Sequence, residues 1–222
     1  MKRLVIIPAK SKSIRIRKKN FVLINNMPIY KYTLNNVLKS KLFNKVHISS
    51  DKLINKKYQE FLRPPSLCKD KTSLNEVIHW TLLKYKERGL IFNSVCLAYP
   101  TSPMLEAIDF KKACAKFEKN KNFPLISVSK FNPSIDEAMI KRGKFVRPRN
   151  IKKFYKDSKK HKEYFFDTGS FVFFNTKKFY KKNILSDNLS QLFIPFVISR
   201  IKSVDINTKE DLNFLKQIIK IK

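Results

Sequence analysis

The chain has 222 residues, 43% hydrophobic and 13% aromatic, which excludes a low-complexity or disordered polypeptide and allows one α/β domain with a sizeable core. Charge is the unusual quantity: 48 Lys plus Arg face 17 Asp plus Glu, a formal net charge of +31, so either an acidic partner exists or the composition has drifted. Three cysteines, Cys68, Cys96 and Cys114, without CxxC spacing exclude a disulfide scaffold, and no apolar run is long enough to cross a bilayer. A soluble, cytoplasmic protein with reduced thiols is expected.

Leu4-Val5-Ile6-Ile7-Pro8 is a short, continuous apolar run, the pattern of a buried parallel strand. A polar loop from Ala9 to Asn20 follows. Pro28 to Leu42 carries apolar residues near helical spacing, with Pro28 suited to a first turn, and Val46 to Asp51 reads as the next strand. This βαβ unit predicts a right-handed crossover and a parallel sheet. The alternation continues with a helix over Leu74 to Arg88 stopped by Gly89, a strand over Ser94 to Tyr99, a helix over Glu106 to Lys119 and a strand over Leu125 to Ser129.

Pro133 to His161 breaks the pattern as a basic, irregular and mobile excursion. Dense β signal returns over Phe165 to Phe174, with Gly169 read as a turn. Phe193 to Ile198 and Ser203 to Ile206 read as short strands, and Thr208 caps a final helix with Asp211 three residues on. No repeat or linker divides the chain, so one α/β domain with a mainly parallel sheet flanked by helices is expected.

Charge is unevenly placed. Residues 1 to 50 hold 12 bases and no acid, and residues 141 to 162 hold 11 bases and one acid, Asp157. Only 9 of the bases are Arg and 39 are Lys. Lysine is a hydrated point charge rather than a fork that reads bases, so composition favours drift over a nucleic-acid surface. No helix-turn-helix, zinc spacing or aromatic RNA-binding signature accompanies the charge. In an open α/β sheet ligands sit beyond the carboxyl ends of the strands. The Ala9 to Asn20 loop is there, and its six cations and two serines suit a polyphosphate. Charge alone fits a solvated basic loop as well. His47, His79 and His161 form no metal spacing and read as structural or surface residues. Trp80 and most phenylalanines read as core.

The stretch Ile6-Ile7-Pro8-Ala9-Lys10 followed by Ser13, Arg15-Ile16 and Lys18-Lys19-Asn20 resembles the signature loop of cytidylyltransferases that make CMP-activated nonulosonic acids. Further matches follow in the family's order: Pro28, Leu42 to Val46, Ser49-Ser50-Asp51, Leu62-Arg63-Pro64, Asp70-Lys71-Thr72, Tyr99 to Pro103, Asp167-Thr168-Gly169 and Asp205 to Thr208. They span nearly the whole chain. The Tyr99-Pro100-Thr101 and Asp167 to Phe171 stretches are more similar to the pseudaminic acid branch than to the sialic acid branch.

The resemblance implies a single Rossmann-like nucleotidyltransferase domain over 1–222, with 132–170 as a sugar-side and dimerisation segment. It implies CTP and a nine-carbon 2-keto sugar acid as substrates, a CMP-sugar and pyrophosphate as products, magnesium as cofactor, and a homodimer. Carried over by position, Lys10 faces the phosphates and Lys19 the leaving pyrophosphate. Ala9, Ser13, Arg15, Asn20, Arg63, Asp70 and Thr72 hold the nucleotide. Tyr99 and Asp167 line the sugar pocket, and Asp205 ligates magnesium.

Three features depart from the family pattern. Ser11 and Lys12 stand where its loops carry glycines, and Asn207, a neutral donor, stands where it has a second metal aspartate. The Arg that captures the sugar carboxylate about ten residues before Asp-Thr-Gly is replaced by Asp157 to Lys160. Lys159, Lys160 or Arg149 would then supply the charge. These departures leave two further readings open: a degenerate member of the fold, and, from charge alone, a nucleic-acid binder.

Overall fold

The structure is a computed structural model that describes residues 1–13, 16–157, 161–182 and 192–221. In chain order the elements are β1 (Arg3–Pro8), β2 (Leu23–Ile24), β3 (Met27–Pro28), α1 (Ile29–Ser40), β4 (Lys45–Ser49), α2 (Leu74–Glu87), β5 (Ser94–Ala98), α3 (Ala107–Lys119), β6 (Leu125–Lys130), β7 (Met139–Arg142), β8 (Phe145–Pro148), α4 (Ile151–Phe154), β9 (Phe165–Asn175), α5 (Thr176–Lys182), β10 (Ile194–Val197) and α6 (Lys209–Ile221). Six strands form the main sheet in the order β10-β6-β9-β5-β1-β4. β1 runs parallel to β4 and β5, and β10 parallel to β6, while β9 lies antiparallel between β5 and β6. The sheet is mixed and mostly parallel.

Alternation along the strands sorts their side chains into two cores. Val5, Ile7, Cys96, Ala98, Phe171 and Phe173 face α1 and α3, whereas Leu4, Ile6, Val95, Leu97, Val172 and Phe174 face α2 and α5. Both faces are covered, which is why the strands read as unbroken apolar runs. Helix starts and stops have local causes. Ser73 and Glu76 form a capping box at the start of α2, and Gly89 follows its end at φ 73°. Thr208 and Asp211 exchange hydrogen bonds of 2.7 and 3.1 Å at the start of α6. A third cluster, Ile24, Ile29, Met104, Ile206 and Leu215, packs α6 beside the β2–β3 hairpin. That hairpin turns through Asn25 and Asn26, both at positive φ, as a two-residue turn with matching twist requires.

Three expectations are corrected. The stretch from Phe165 is one strand of eleven residues and Gly169 is inside it, not at a turn. Gly169 has φ 56°, and the pairing with β6 slips between Ile126 and Val128, so the glycine supports a bulge within a strand bonded on both sides. Ser203 to Ile206 is not a strand. Arg200–Ser203 is a 3₁₀ turn closed by a Ser203 hydroxyl donating to the Arg200 carbonyl at 2.8 Å. Residues 133–157 are not irregular: β7 and β8 form an antiparallel hairpin around Gly143 at φ 60°, followed by α4. The hairpin has no buried face, so its strands carry no apolar alternation to read.

His47 on β4 is buried, within 3.2 Å of the Tyr85 hydroxyl and 4.7 Å between ring centroids from Phe61. Burial, with Arg63, Lys45 and Arg88 adding, lowers its pKa to about 3. The unfolded chain therefore takes up this proton first as pH falls. Stability present above the unfolded pKa of about 6.5 is lost toward 3 at about 1.4 kcal/mol per pH unit. Urea unfolding should show this residue removing about 2 kcal/mol between pH 6.5 and 5, with the loss missing from His47→Gln; equal pH slopes in the two proteins would contradict it. At Gly169 an added Cβ meets nothing within 4 Å. Gly169→Ala should therefore cost only the left-handed backbone penalty, about 1–2 kcal/mol by thermal melting.

Candidate active site

The carboxyl ends of β1, β4 and β5 open on one side of the sheet, and the 9–20 loop leaves β1 there. Ala9 is buried and extends the β1–β4 ladder, its amide donating to the Ser49 carbonyl at 2.8 Å. Three aspartates from distant stretches then fix the loop. Asp51 accepts the Ser11 amide at 2.6 Å and the Ser11 hydroxyl at 2.5 Å. Asp70 pairs with the Lys10 ammonium at 3.1 Å, and Asp205 with the Lys19 ammonium at 3.1 Å. The Asn20 side chain closes the loop on itself by donating to the Lys10 carbonyl at 3.0 Å. Lys18, at φ 54°, turns the chain into a 3₁₀ turn that carries Lys19 inward.

Arg63 is 4% exposed, with its guanidinium donating to the Ser49 hydroxyl at 3.0 Å and the Ser49 carbonyl at 2.8 Å. Burial holds its pKa below the ordinary arginine value, with Cys68 and Asp51 opposing. For Asp51, burial pushes the carboxyl up, but the Ser11 hydroxyl and amide, its own amide and the Arg63 guanidinium outweigh it, leaving a net downward shift. Arg63 lines two adjoining clefts. One, of about 210 Å³, also takes in Lys10, Lys19, Asn20, Thr72 and Tyr99. The other, of about 1040 Å³, lies under Ser13, Arg17 and Lys69 with Asp70 at its rim. Together they give an apolar slot with a basic mouth, a shape that suits a nucleobase with a polyphosphate tail.

Toward the middle of the sheet, Tyr99 follows β5 and its amide donates to the Ser170 carbonyl at 2.9 Å. Burial, with Asp167 and Asp205 adding, pushes its phenol up to about 12. Asp167 on β9 accepts the Gly169 amide at 2.8 Å. Burial raises its pKa, the Gly169 amide opposes this, and Asp205 adds to it. Beyond Asp167, a further cleft of about 540 Å³ lies between the ends of β6 and β10, with Lys130, His161 and Arg200 in its wall.

The structure thus gathers Ala9, Lys10, Ser13, Lys19, Asn20, Arg63, Asp70, Thr72, Tyr99, Asp167, Asp205 and Asn207 at one end of the sheet. Arg15, Lys159 and Lys160 lie outside the described residues. Arg149 is exposed beside the hairpin, its amide donating to the Ala138 carbonyl at 2.8 Å. Two contributors carried no assigned role in the sequence reading. Thr101 donates its hydroxyl to Asp205 at 3.2 Å, and Asp51 anchors Ser11. Asp51 had a signal, as the first acid after fifty residues without one.

A magnesium ion is implied by the resemblance, and the donor set fits a resident ion poorly. Among the described residues no three His, Cys, Asp or Glu converge on a metal position. The two Asp205 oxygens already receive Lys19, Thr101, the Ile206 amide and the Asn207 side-chain amide. Asp211 is spent on the Asn207 and Thr208 amides.

A family model described as cytidylyltransferase matches residues 4–221. Over its whole length the chain is 29% identical to the pseudaminic acid cytidylyltransferase of Campylobacter jejuni subsp. jejuni, covering 97% of that protein. It is 30% identical to the N-acylneuraminate cytidylyltransferase of Escherichia coli O18:K1:H7 over 58% of this chain and 32% of that one. Among solved structures, CMP:2-keto-3-deoxy-manno-octonic acid synthetase complexed with CTP aligns over 99% of both chains with a TM-score of 0.72. At 12% identity that likeness is one of fold. With nearly every residue inside the family match and a nucleotidyltransferase fold beneath it, this chain belongs to the cytidylyltransferase family.

Proposed function

We propose that this cytidylyltransferase transfers CMP from CTP to a nonulosonic acid of the pseudaminic, sialic or legionaminic type and releases pyrophosphate. The full-length similarity to a pseudaminic acid cytidylyltransferase supports that acceptor class. The observation that carries the reading is the pair Lys10 and Lys19, held by aspartates at the wall of one cleft that also contains Tyr99. The acceptor's anomeric hydroxyl attacks the α-phosphorus in line, and charge grows on the departing β and γ phosphates. Two ammonium groups fixed before substrate arrives meet that charge without reorganisation. Ala9, Ser13, Arg15, Asn20, Arg63, Asp70 and Thr72 frame the nucleotide in this reading. The acceptor lies over Tyr99 and Asp167, with the cations Lys130 and Arg200 beyond it suited to an acidic sugar. The reaction draws on cytoplasmic CTP and needs no nucleic acid.

Pyrophosphate release from CTP with a panel of nonulosonic acids, with and without magnesium, tests the reading. Turnover with at least one acid is expected, and no release with any acid would leave a degenerate member of the fold. Lys19→Ala should lower kcat by about 10²-fold, the scale of losing one donor to developing charge. Unchanged turnover would remove that lysine from the reaction.

The β7–β8 hairpin bears on assembly. Met139, Phe145 and Val146 on it are 48%, 67% and 62% exposed, and Ile151 and Tyr155 beside it are 63% and 77% exposed. A lone two-stranded hairpin is marginal in water, so we propose that a second copy covers it, forming a homodimer. The basic residues of 141–162 would repel across that interface, so salt should promote association. Sedimentation should show a dimer strengthened by salt and a monomer for Phe145→Lys; a monomer at every ionic strength would sink the dimer.

A further inference from the structure

Asp205 lies between the 3₁₀ turn Arg200–Ser203 and α6, opposite the loop that brings Lys19. One of its oxygens, Oδ1, accepts from Lys19 Nζ at 3.1 Å, Thr101 Oγ1 at 3.2 Å and the Ile206 amide at 2.8 Å. The other, Oδ2, accepts from Asn207 Nδ2 at 2.8 Å. Oδ1 is thus fully subscribed by three donors, one of them the ammonium, while Oδ2 takes Asn207 and keeps one acceptor position. Lys19 is the more sheltered partner, its side chain 18% exposed against 36% for Asp205.

Asn207 has its own logic in this arrangement. Its amide donates to the second Asp205 oxygen, which a carboxylate at 207 cannot do. An aspartate there would set two negative charges at hydrogen-bond distance against the single ammonium of Lys19. Such an excess attracts a divalent cation. The asparagine and the lysine therefore form one design, in which the carboxylate is balanced from within the protein.

We infer that Lys19 is the resident counter-cation of Asp205, and that with Asn207 it keeps the free protein from holding a divalent metal there. Lys19 plays this part in the free protein, whichever acceptor is used. Asn207 is then a donor to Asp205 rather than a lost ligand. Magnesium is a small ion that demands near-octahedral oxygen donors at about 2.0–2.1 Å and sheds water reluctantly. A single carboxylate already bonded to an ammonium does not meet that demand.

Mn²⁺, titrated without nucleotide and followed by electron paramagnetic resonance of the free ion, tests this. The wild-type protein should leave the free-ion signal unchanged through the submillimolar range. Asn207→Asp should bind one ion per chain at least about tenfold more tightly, an added ~1.4 kcal/mol. Lys19→Met should do the same from the other side, by uncovering Asp205. Adding Asp205→Asn to either variant should abolish the gain. Thermal melting checks that each variant is folded. Two results would overturn the inference: one Mn²⁺ bound per wild-type chain and lost in Asp205→Asn, or folded Asn207→Asp and Lys19→Met proteins that bind no better than wild type.

Discussion

Three ion-dipole and ion-pair anchors hold the catalytic end of this molecule together. Asp51, Asp70 and Asp205 reach the 9–20 loop from three separate stretches and fasten Ser11, Lys10 and Lys19 respectively. Acids are scarce in this chain, 17 against 48 bases, so their placement matters more than their number. A loop rich in like charges resists compaction, and here Lys10, Ser11 and Lys19 are each held by a carboxylate. Around the wider cleft these anchors leave Lys12, Arg17 and Lys18, a basic mouth that suits an anionic ligand.

Arg63 works in the opposite sense. Its guanidinium is buried and committed to the Ser49 hydroxyl and carbonyl, so it braces the end of β4 and forms the shared wall of two clefts. Two guanidinium N–H groups reach the one residue Ser49 and hold the backbone at 63 against the end of β4, a planar two-point contact that a lysine's point charge does not reproduce. The lysines of the site are point charges that Asp70 and Asp205 hold at the cleft wall, and the arginine is part of the frame.

Much of the fold was legible because apolar runs and their spacing map directly onto buried strands and one-sided helices. Leu4 to Ile7 and Leu125 to Ser129 are examples, and Thr208 with Asp211 marked the last helix start. Direction was not legible: nothing in Phe165 to Asn175 says that it runs antiparallel to both neighbours, and Gly169 carries the same letter in a bulge as in a turn. The exposed β7–β8 hairpin had no buried face to betray it. At the site, the loop residues emerged from motif order, but the bond between Lys19 and Asp205 joins residues 186 apart. No local pattern encodes such a contact.

The central position of β9 also governs how the chain can be made. Residues Ser94 to Ala98 and Leu125 to Lys130 are synthesised well before Phe165 to Asn175, the strand that bridges them. At translation speeds of about 5–20 residues per second, β5 and β6 wait several seconds with unpaired edges. The two halves of the sheet, β10-β6 and β5-β1-β4, have no direct ladder between them. A nascent chain that stops short of β9 also lacks β10, so it holds the β5-β1-β4 ribbon with the β5 edge open and β6 with no partner strand, the kind of species that pairs with its neighbours. Recombinant yield should therefore respond to slower synthesis and to holdase chaperones more than to changes at the clefts beside Arg63.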